Sequence, residues 1–112
     1  MVQVKGTDAD RYLTRPDPAV RVILIYGADG GLVAETQQTM KNIESLLATM
    51  GASMTDVVKT TCFLTDMEDY KVFNEHYVAA FGNHRPSRSC VAVAELPAGF
   101  VVEVEAWAYK PA

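Results

Sequence analysis

Hydrophobic and polar positions along the chain change their period several times, and each change marks a predicted element. Residues 20–26 form a mostly β-branched and apolar run that ends at a glycine-rich segment, which predicts a buried strand. Residues 56–64 are rich in β-branched residues and predict a second strand. Two further strands are predicted over residues 87–93 and 100–109, with a Leu-Pro-Ala-Gly turn between them.

Two segments have the spacing of three and four residues that is typical of amphipathic helices. The first covers residues 34–50, and the second begins after an N-cap at Thr65 or Asp66 and ends near Phe81. Their apolar stripes are Met40, Ile43, Leu47 and Met50 in the first helix and Tyr70, Phe73, Tyr77 and Phe81 in the second.

The N-terminal third predicts less regular structure than the rest. A short strand over residues 11–14 can pair back across an Arg-Pro-Asp-Pro turn, and residues 1–5 form either another short strand or a frayed end. The element order is therefore ββαβαββ. It predicts a single α+β domain over residues 1–112, in which two helices cover one face of one sheet.

The last predicted strand has two different faces, because side chains alternate along a strand. The face with Val102, Val104, Ala106 and Ala108 fits under the helices, whereas the opposite face carries Glu103, Glu105, Trp107 and Tyr109. On a monomer we expect this second face to lie in water, with both aromatic rings exposed. The pattern favours an oligomer that covers it. The alternative is an amphipathic edge strand on a monomer.

Composition excludes several classes of function. The 112 residues carry a net charge of −4. This argues against sequence-independent binding of nucleic acid, which needs clustered lysine and arginine residues. No apolar run approaches the roughly 18 residues of a membrane span, and no secretory signal is visible. We therefore expect a cytoplasmic protein with two reduced cysteines. The two histidines are not accompanied by ligand spacings that would predict a metal site, and no phosphate-binding loop is present.

Arg88 is the first candidate for chemistry, because it lies near the start of the third main strand with Cys90 on the same face. One interpretation is a surface or interface ion pair with Glu103 or Glu105. The other is a planar, permanently charged fork that binds a substrate carboxylate through two hydrogen bonds. The sequence pattern leaves both interpretations open.

Several stretches resemble the RidA/YjgF family of reactive-intermediate deaminases. They are residues 51–61, the dipeptide Thr65-Asp66, residues 73–77 and, most sharply, residues 85–97 with the sequence Arg-Pro-Ser-Arg-Ser-Cys-Val-Ala-Val-Ala-Glu-Leu-Pro. The resemblance implies a chorismate-mutase-like fold of the bacillus type, assembled as a homotrimeric barrel with active sites between subunits. It also implies hydrolysis of 2-imino acids, or their 2-aminoacrylate-type enamine tautomers, to 2-keto acids and ammonia. No cofactor or metal is implied.

The resemblance also implies roles for individual residues. Arg88 matches the arginine that holds the substrate carboxylate, and Glu103 matches the acid that positions the attacking water. Cys90 matches a position that contacts the imine mainly through its backbone. In the N-terminal third the family's Gly-Pro-Tyr and Gln-Ile-Pro stretches are absent. There Tyr12 stands in for the family tyrosine, and Tyr26 replaces a small hydroxyl residue.

The resemblance leaves alternatives for Tyr26 and for the function. Tyr26 either reaches the pocket, by its ring or its hydroxyl, or packs at the trimer seam. The alternative function is a non-catalytic or chaperone-like trimer that binds small carboxylates or partner proteins in its clefts. Endoribonuclease activity, a name attached to parts of the family, is disfavoured by the acidic composition. The sequence assigns no role to His76 or His84.

Overall fold

The computed structural model describes residues 20–26 as backbone and residues 30–109 in full. Their order agrees with the predicted order of helices and strands, and the predicted strands over residues 1–5 and 11–14 lie outside the described residues. The strands are β1 (Val20–Tyr26), β2 (Val57–Leu64), β3 (Ser87–Ala92) and β4 (Val102–Tyr109), and the helices are α1 (Gly31–Thr49) and α2 (Tyr70–Phe81).

The segment between β2 and α2 contains a 3₁₀ turn that the sequence pattern does not predict. A short 3₁₀ turn, Met67–Asp69, precedes the helix, so α2 begins at Tyr70. The Asp66 carboxylate accepts a hydrogen bond from the Glu68 backbone N–H at 2.9 Å, so Asp66 caps this 3₁₀ turn. This cap satisfies one of the backbone donors that a helical turn leaves unpaired at its start. The N-cap of α2 itself is Asp69, so the prediction of Thr65 or Asp66 at that position is wrong.

The sheet has the strand order β1-β4-β2-β3. β4 pairs antiparallel with both β1 and β2, whereas β3 pairs parallel with β2. Parallel neighbours need a crossover connection, and α2 supplies it between β2 and β3. The predicted α+β architecture, a sheet with two helices, is therefore confirmed. β4 is a central strand, so the alternative of an amphipathic edge strand is wrong.

The core lies between the sheet and the two helices. The predicted apolar face of β4 is buried there, as are Ile43 and Leu47 of α1 and Phe73 of α2, all of them with no more than 1% of their surface exposed. Each such large side chain stabilises the fold by about 1.5–3 kcal/mol relative to leaving it exposed. The β4 residues on this face are Val102, Val104, Ala106 and Ala108.

Two polar contacts fix the elements around this core. The Glu35 carboxylate of α1 accepts a hydrogen bond from the Val101 backbone N–H at 2.8 Å, which ties α1 to the segment that enters β4. His84 lies 2.7 Å through its Nε2 from the Val57 carbonyl oxygen at the start of β2. A carbonyl only accepts, so Nε2 carries the proton. His84 thus has a structural role that the sequence did not assign.

The opposite face of β4 differs from the prediction for a single chain. Only 8% of Glu103 and 5% of Glu105 is exposed, and Trp107 is half-buried, whereas Tyr109 is 48% exposed. The expectation that this whole face lies in water on one chain is therefore wrong. The physical reason is that β2 places Thr61 beside Glu105 and Phe63 beside Glu103 in register, so these side chains stand on the same face and flank the two carboxylates. Trp107 donates its indole N–H to Oε1 of Glu105 at 3.0 Å.

Candidate functional site

One stripe of α2 faces the start of β3. Tyr70, Asn74 and Tyr77 are spaced by four and three residues, which places them on the same side of the helix. Asn74 is the polar member of a stripe that the apolar pattern identified only through its aromatic residues. All three side chains contact Arg88 of β3.

The Arg88 guanidinium is held in a fixed position by these side chains. Nη1 donates to Oδ1 of Asn74 at 2.6 Å, and Nη2 donates to the hydroxyl of Tyr70. Its central carbon lies 4.7 Å from the ring centroid of Tyr77 and 5.3 Å from that of Tyr70. Such cation–π contacts favour the charged group over the ring face. An arginine has five N–H donors, and the two hydrogen bonds leave three of them for a ligand.

A pocket of about 300 Å³ opens beside this guanidinium. This volume suits a small metabolite, since ligand pockets begin at roughly 300 Å³. The described residues that line the pocket include no carboxylate, and within the described part of the chain Arg88 has no acidic partner. They are Asn74, Tyr77, Val78, Arg85, Pro86 and Arg88.

Arg88 and Glu103 lie on opposite faces of the sheet. Arg88 pairs in register with Thr60, and Thr60 pairs with Ala106 on the face that the helices cover. Glu103 pairs with Phe63, which lies an odd number of residues from Thr60 on β2. Because side chains alternate along a strand, Phe63 and Glu103 direct theirs to the other face of the sheet. The sheet therefore separates the two predicted site residues within one chain.

This separation also bears on the interpretation of Arg88 as the partner of Glu103 or Glu105 in an ion pair. An ion pair with Glu103 or Glu105 does not form within the chain, so the prediction of such a pair in one chain is wrong. β3 and β4 follow each other in sequence, but they are not neighbours in the sheet. α2 connects β2 to β3 and places β3 on the side of β2 that faces away from β4. β2 then lies between the two strands.

Tyr77 forms the buried wall of the pocket. Its hydroxyl is 2.6 Å from Oγ1 of Thr60, and 3% of the residue is exposed. Burial raises the pKa of the Tyr77 phenol, although the hydrogen bond with Thr60 and the charges of Arg88 and Arg85 oppose the rise. The phenol is therefore neutral at physiological pH. The sequence gives no sign of this role for Thr60, because β-branched residues are common in strands.

Cys90 follows Arg88 by two residues and shares its face, as predicted. The residue is half-buried, and burial raises the pKa of its thiol although the charge of Arg88 lowers it. A protonated thiol is a poor nucleophile. Cys62 pairs with Cys90 in register, and burial, reinforced by Cys90, raises the pKa of Cys62 to about 12. Both cysteines are free, as the sequence predicted.

The two tyrosines predicted to bind substrate belong to the N-terminal third. Tyr12 lies outside the described residues. Tyr26 is the last residue of β1, and its backbone pairs in register with Glu103 of β4. The backbone of Tyr26 therefore lies beside that of Glu103. β1 is the neighbour of β4 on one side, and β2 is its neighbour on the other.

His76 has a structural contact away from this pocket. Its Nδ1 lies 3.4 Å from the side-chain nitrogen of Gln37, so it bridges α2 and α1. The described residues contain no cluster of histidine, cysteine and acidic side chains that could hold a metal ion. No helix among them is long and apolar enough to cross a membrane.

Comparison with known proteins places this architecture in a family. The profile of the family described as Endoribonuclease L-PSP matches residues 26–110. The chain belongs to this family, the RidA/YjgF family. A RidA/YjgF structure from Mycobacterium tuberculosis, described as a member of the YjgF/YER057c/UK114 family, is 35% identical with a TM-score of 0.79. That match covers 82% of this chain and 80% of the other.

Two relatives extend the comparison. A RutC family protein of Pyrococcus horikoshii is 41% identical over 81 residues, which are 72% of this chain and 64% of that protein. The 2-iminobutanoate/2-iminopropanoate deaminase of Mus musculus is 43% identical over 81 residues, which are 72% of this chain and 60% of the deaminase. This chain thus spans less than two thirds of the length of these relatives.

Proposed function

We propose that this RidA/YjgF chain hydrolyses 2-imino acids, and their 2-aminoacrylate-type enamine tautomers, to 2-keto acids and ammonia. The observation that carries the proposal is the Arg88 guanidinium, which is held by Asn74 and Tyr70 over Tyr77 beside a small pocket. A fixed guanidinium with three free donors and no acidic partner among the described residues suits a substrate carboxylate. The name of the mouse relative, a deaminase of this type, supports the same class of substrate.

The reaction needs little from the protein. A protonated imine is already electrophilic at C2, so water adds there and the C2–N bond then breaks to release ammonia. Arg88 holds the carboxylate and thereby fixes C2. Glu103 accepts the proton of the attacking water and returns it to the departing nitrogen. Cys90 lines the site through its backbone, Tyr12 and Tyr26 contribute to its walls, and no cofactor or metal takes part.

This assignment of roles requires more than one copy of the chain. The sheet separates Arg88 from Glu103 in each chain, so a substrate that contacts both must lie between two chains. We therefore place three sites at the boundaries of a homotrimer, built as a barrel of the chorismate-mutase-like bacillus type. The second oxygen of the buried Glu105 carboxylate has no hydrogen-bond partner, and Tyr109 is half exposed. Both observations support contact of this face with another copy.

The first experiment is a coupled assay of the wild-type protein. An amino acid oxidase or a threonine dehydratase generates imines in situ, and release of the 2-keto acid is compared with and without the protein. We expect faster release of the 2-keto acid with the protein. A reducing agent, which imitates cytoplasmic conditions, should leave this rate unchanged because both thiols are free. Binding of pyruvate without any acceleration would instead favour the non-catalytic carboxylate-binding trimer.

Mixed trimers test whether each site is shared. Arg88→Ala and Glu103→Gln chains with different tags are co-expressed, and trimers that carry both tags are purified. In a ring of three, either mixture leaves one boundary with an intact Arg88 and an intact Glu103, so we expect roughly one third of the wild-type rate. Homotrimers of either variant serve as controls, and we expect their rates to be at least roughly a hundredfold below that of the wild type. Inactive mixed trimers would show that Arg88 of one chain and Glu103 of a neighbouring chain do not form a common site.

A further inference from the structure

A second arginine lies at the same pocket as Arg88. Arg85 lines the pocket and is exposed, whereas Arg88 is half-buried. We propose that Arg85 binds a second carboxylate at the pocket mouth, so that the preferred substrates are 2-imino dicarboxylic acids, the class formed when acidic amino acids are oxidised. This inference rests on the proposed function, and it adds the class of substrate and the residue that selects it.

The hydrogen bonds of Arg85 leave its ligand-binding edge open. Nη1 alone donates to the protein, to the carbonyl oxygens of Gly82 and His84, the latter at 2.9 Å. The edge formed by Nε and Nη2 makes no hydrogen bond to the described residues. That edge carries two parallel N–H donors, which is the geometry that binds a carboxylate by two hydrogen bonds.

The charges at the pocket also favour a doubly negative ligand. The described lining contains two guanidinium groups and no carboxylate, and neither arginine forms an ion pair within the described part of the chain. Both positive charges act on the Tyr77 phenol and lower its pKa, in opposition to burial. Arg88 lies over the Tyr77 ring and Arg85 lines the same pocket, so one substrate carboxylate compensates only one of the two cations.

The shared pocket of the two arginines suits a short dicarboxylate. They are three residues apart, so their Cα atoms are separated by at most about 10 Å, and both side chains line one pocket of about 300 Å³. A 2-imino acid of three carbons that is bound to Arg88 leaves Arg85 without a partner. An acid of four or five carbons with a second carboxylate at its far end contacts both guanidinium groups.

The test compares two substrates in one assay. Oxidases generate 2-iminopropanoate from alanine and the 2-imino dicarboxylates from aspartate or glutamate, and kcat/KM is measured for the wild type, Arg85→Gln and Arg85→Lys. We expect Arg85→Gln to lower kcat/KM for the dicarboxylates at least roughly tenfold further than for 2-iminopropanoate, chiefly through KM. Arg85→Lys keeps the charge but not the fork, so it recovers part of the loss.

The controls separate this inference from the proposed function. Lys71→Gln, an exposed cation of α2 outside the pocket lining, is expected to leave the ratio of the two kcat/KM values unchanged. Equal losses for both substrates in Arg85→Gln would overturn the inference and leave the deaminase proposal in place. If the wild type hydrolyses neither substrate, the deaminase proposal fails. Calorimetric binding of 2-oxoglutarate against pyruvate then decides the inference, which requires tighter binding of the dicarboxylate that Arg85→Gln abolishes.

Discussion

The two faces of the sheet use charged residues in different ways. On the helix-covered face, the Arg88 guanidinium is partly buried, and neutral groups of α2 accept two of its hydrogen bonds and place aromatic rings against it. On the opposite face two carboxylates are buried, and one oxygen of Glu105 has no hydrogen-bond partner. A buried polar atom without a partner costs about 1–3 kcal/mol. The position of the guanidinium is thus set by contacts within one chain, whereas the second face gains from further contacts.

This contrast separates binding from water activation. The positive group that can hold a substrate carboxylate is built by packing within the chain, whereas the acid assigned to the water lies behind the sheet. Variants on each face should therefore affect different kinetic constants. The four predictions that follow test this division, from the largest expected effect to the smallest.

Arg88→Ala is expected to abolish measurable imine hydrolysis. Loss of a desolvated charge-assisted pair costs on the order of 2–5 kcal/mol, and Arg88→Lys should rescue poorly because an ammonium group cannot form two parallel hydrogen bonds. Keto-acid release and light scattering measure activity and assembly, with Lys71→Ala as the control. Full activity in Arg88→Ala would assign the guanidinium to structure, and so would loss of the assembly.

Glu103→Gln tests the opposite face. We expect kcat to fall by about 10²–10⁴, the usual contribution of a general acid or base, while KM changes little because the carboxylate contact is retained. Steady-state kinetics measure the two constants, and Glu95→Gln, an exposed residue before β4, is the matched control. A rise in KM with an unchanged kcat would place Glu103 in binding rather than in the chemistry.

The buried thiol of Cys62 should make stability depend on pH in the alkaline range. Its pKa is raised from 9.0 to about 12. The folded state therefore holds a proton that the unfolded chain releases above pH 9. The resulting stabilisation is complete below pH 9 and is lost towards pH 12, with a slope of at most about 1.4 kcal/mol per pH unit.

Denaturant unfolding between pH 8 and 11 measures this dependence. Cys62→Val removes the thiol and should reduce the slope by the contribution of one group, whereas Cys90→Ala, which removes a less buried thiol, should reduce it less. Identical pH profiles for the wild type and Cys62→Val would show that the thiol is not desolvated in the folded protein.

Cys90 gives the smallest expected effect. Its raised pKa and the direct attack of water both argue against a thiolate nucleophile, so Cys90→Ala and Cys90→Ser should retain hydrolysis within about tenfold, or roughly 1.4 kcal/mol of barrier. Bulky alkylation of the thiol should still inhibit by filling the site. An assembled Cys90→Ala protein without turnover would move this residue from the lining into the chemistry.

Much of the fold followed from local patterns. The run of β-branched residues in β2 and the apolar stripe from Met40 to Leu47 each predict one type of element, because the periods of a strand and a helix differ. The inward face of β4 was predicted from alternation alone. The pairing of β3 with β2 was not, because strand order depends on which side the crossover helix covers.

The site shows the same division. By itself the sequence determined the elements, their inward faces and, through the motif around Arg88, the candidate for carboxylate binding. Only the tertiary structure decided that Asn74 and Tyr70 hold this guanidinium, that Arg85 reaches the same pocket and that Glu103 lies behind the sheet. The physical reason is that periodicity records which face of an element is buried, whereas contacts between elements depend on register and strand order, which no local pattern encodes.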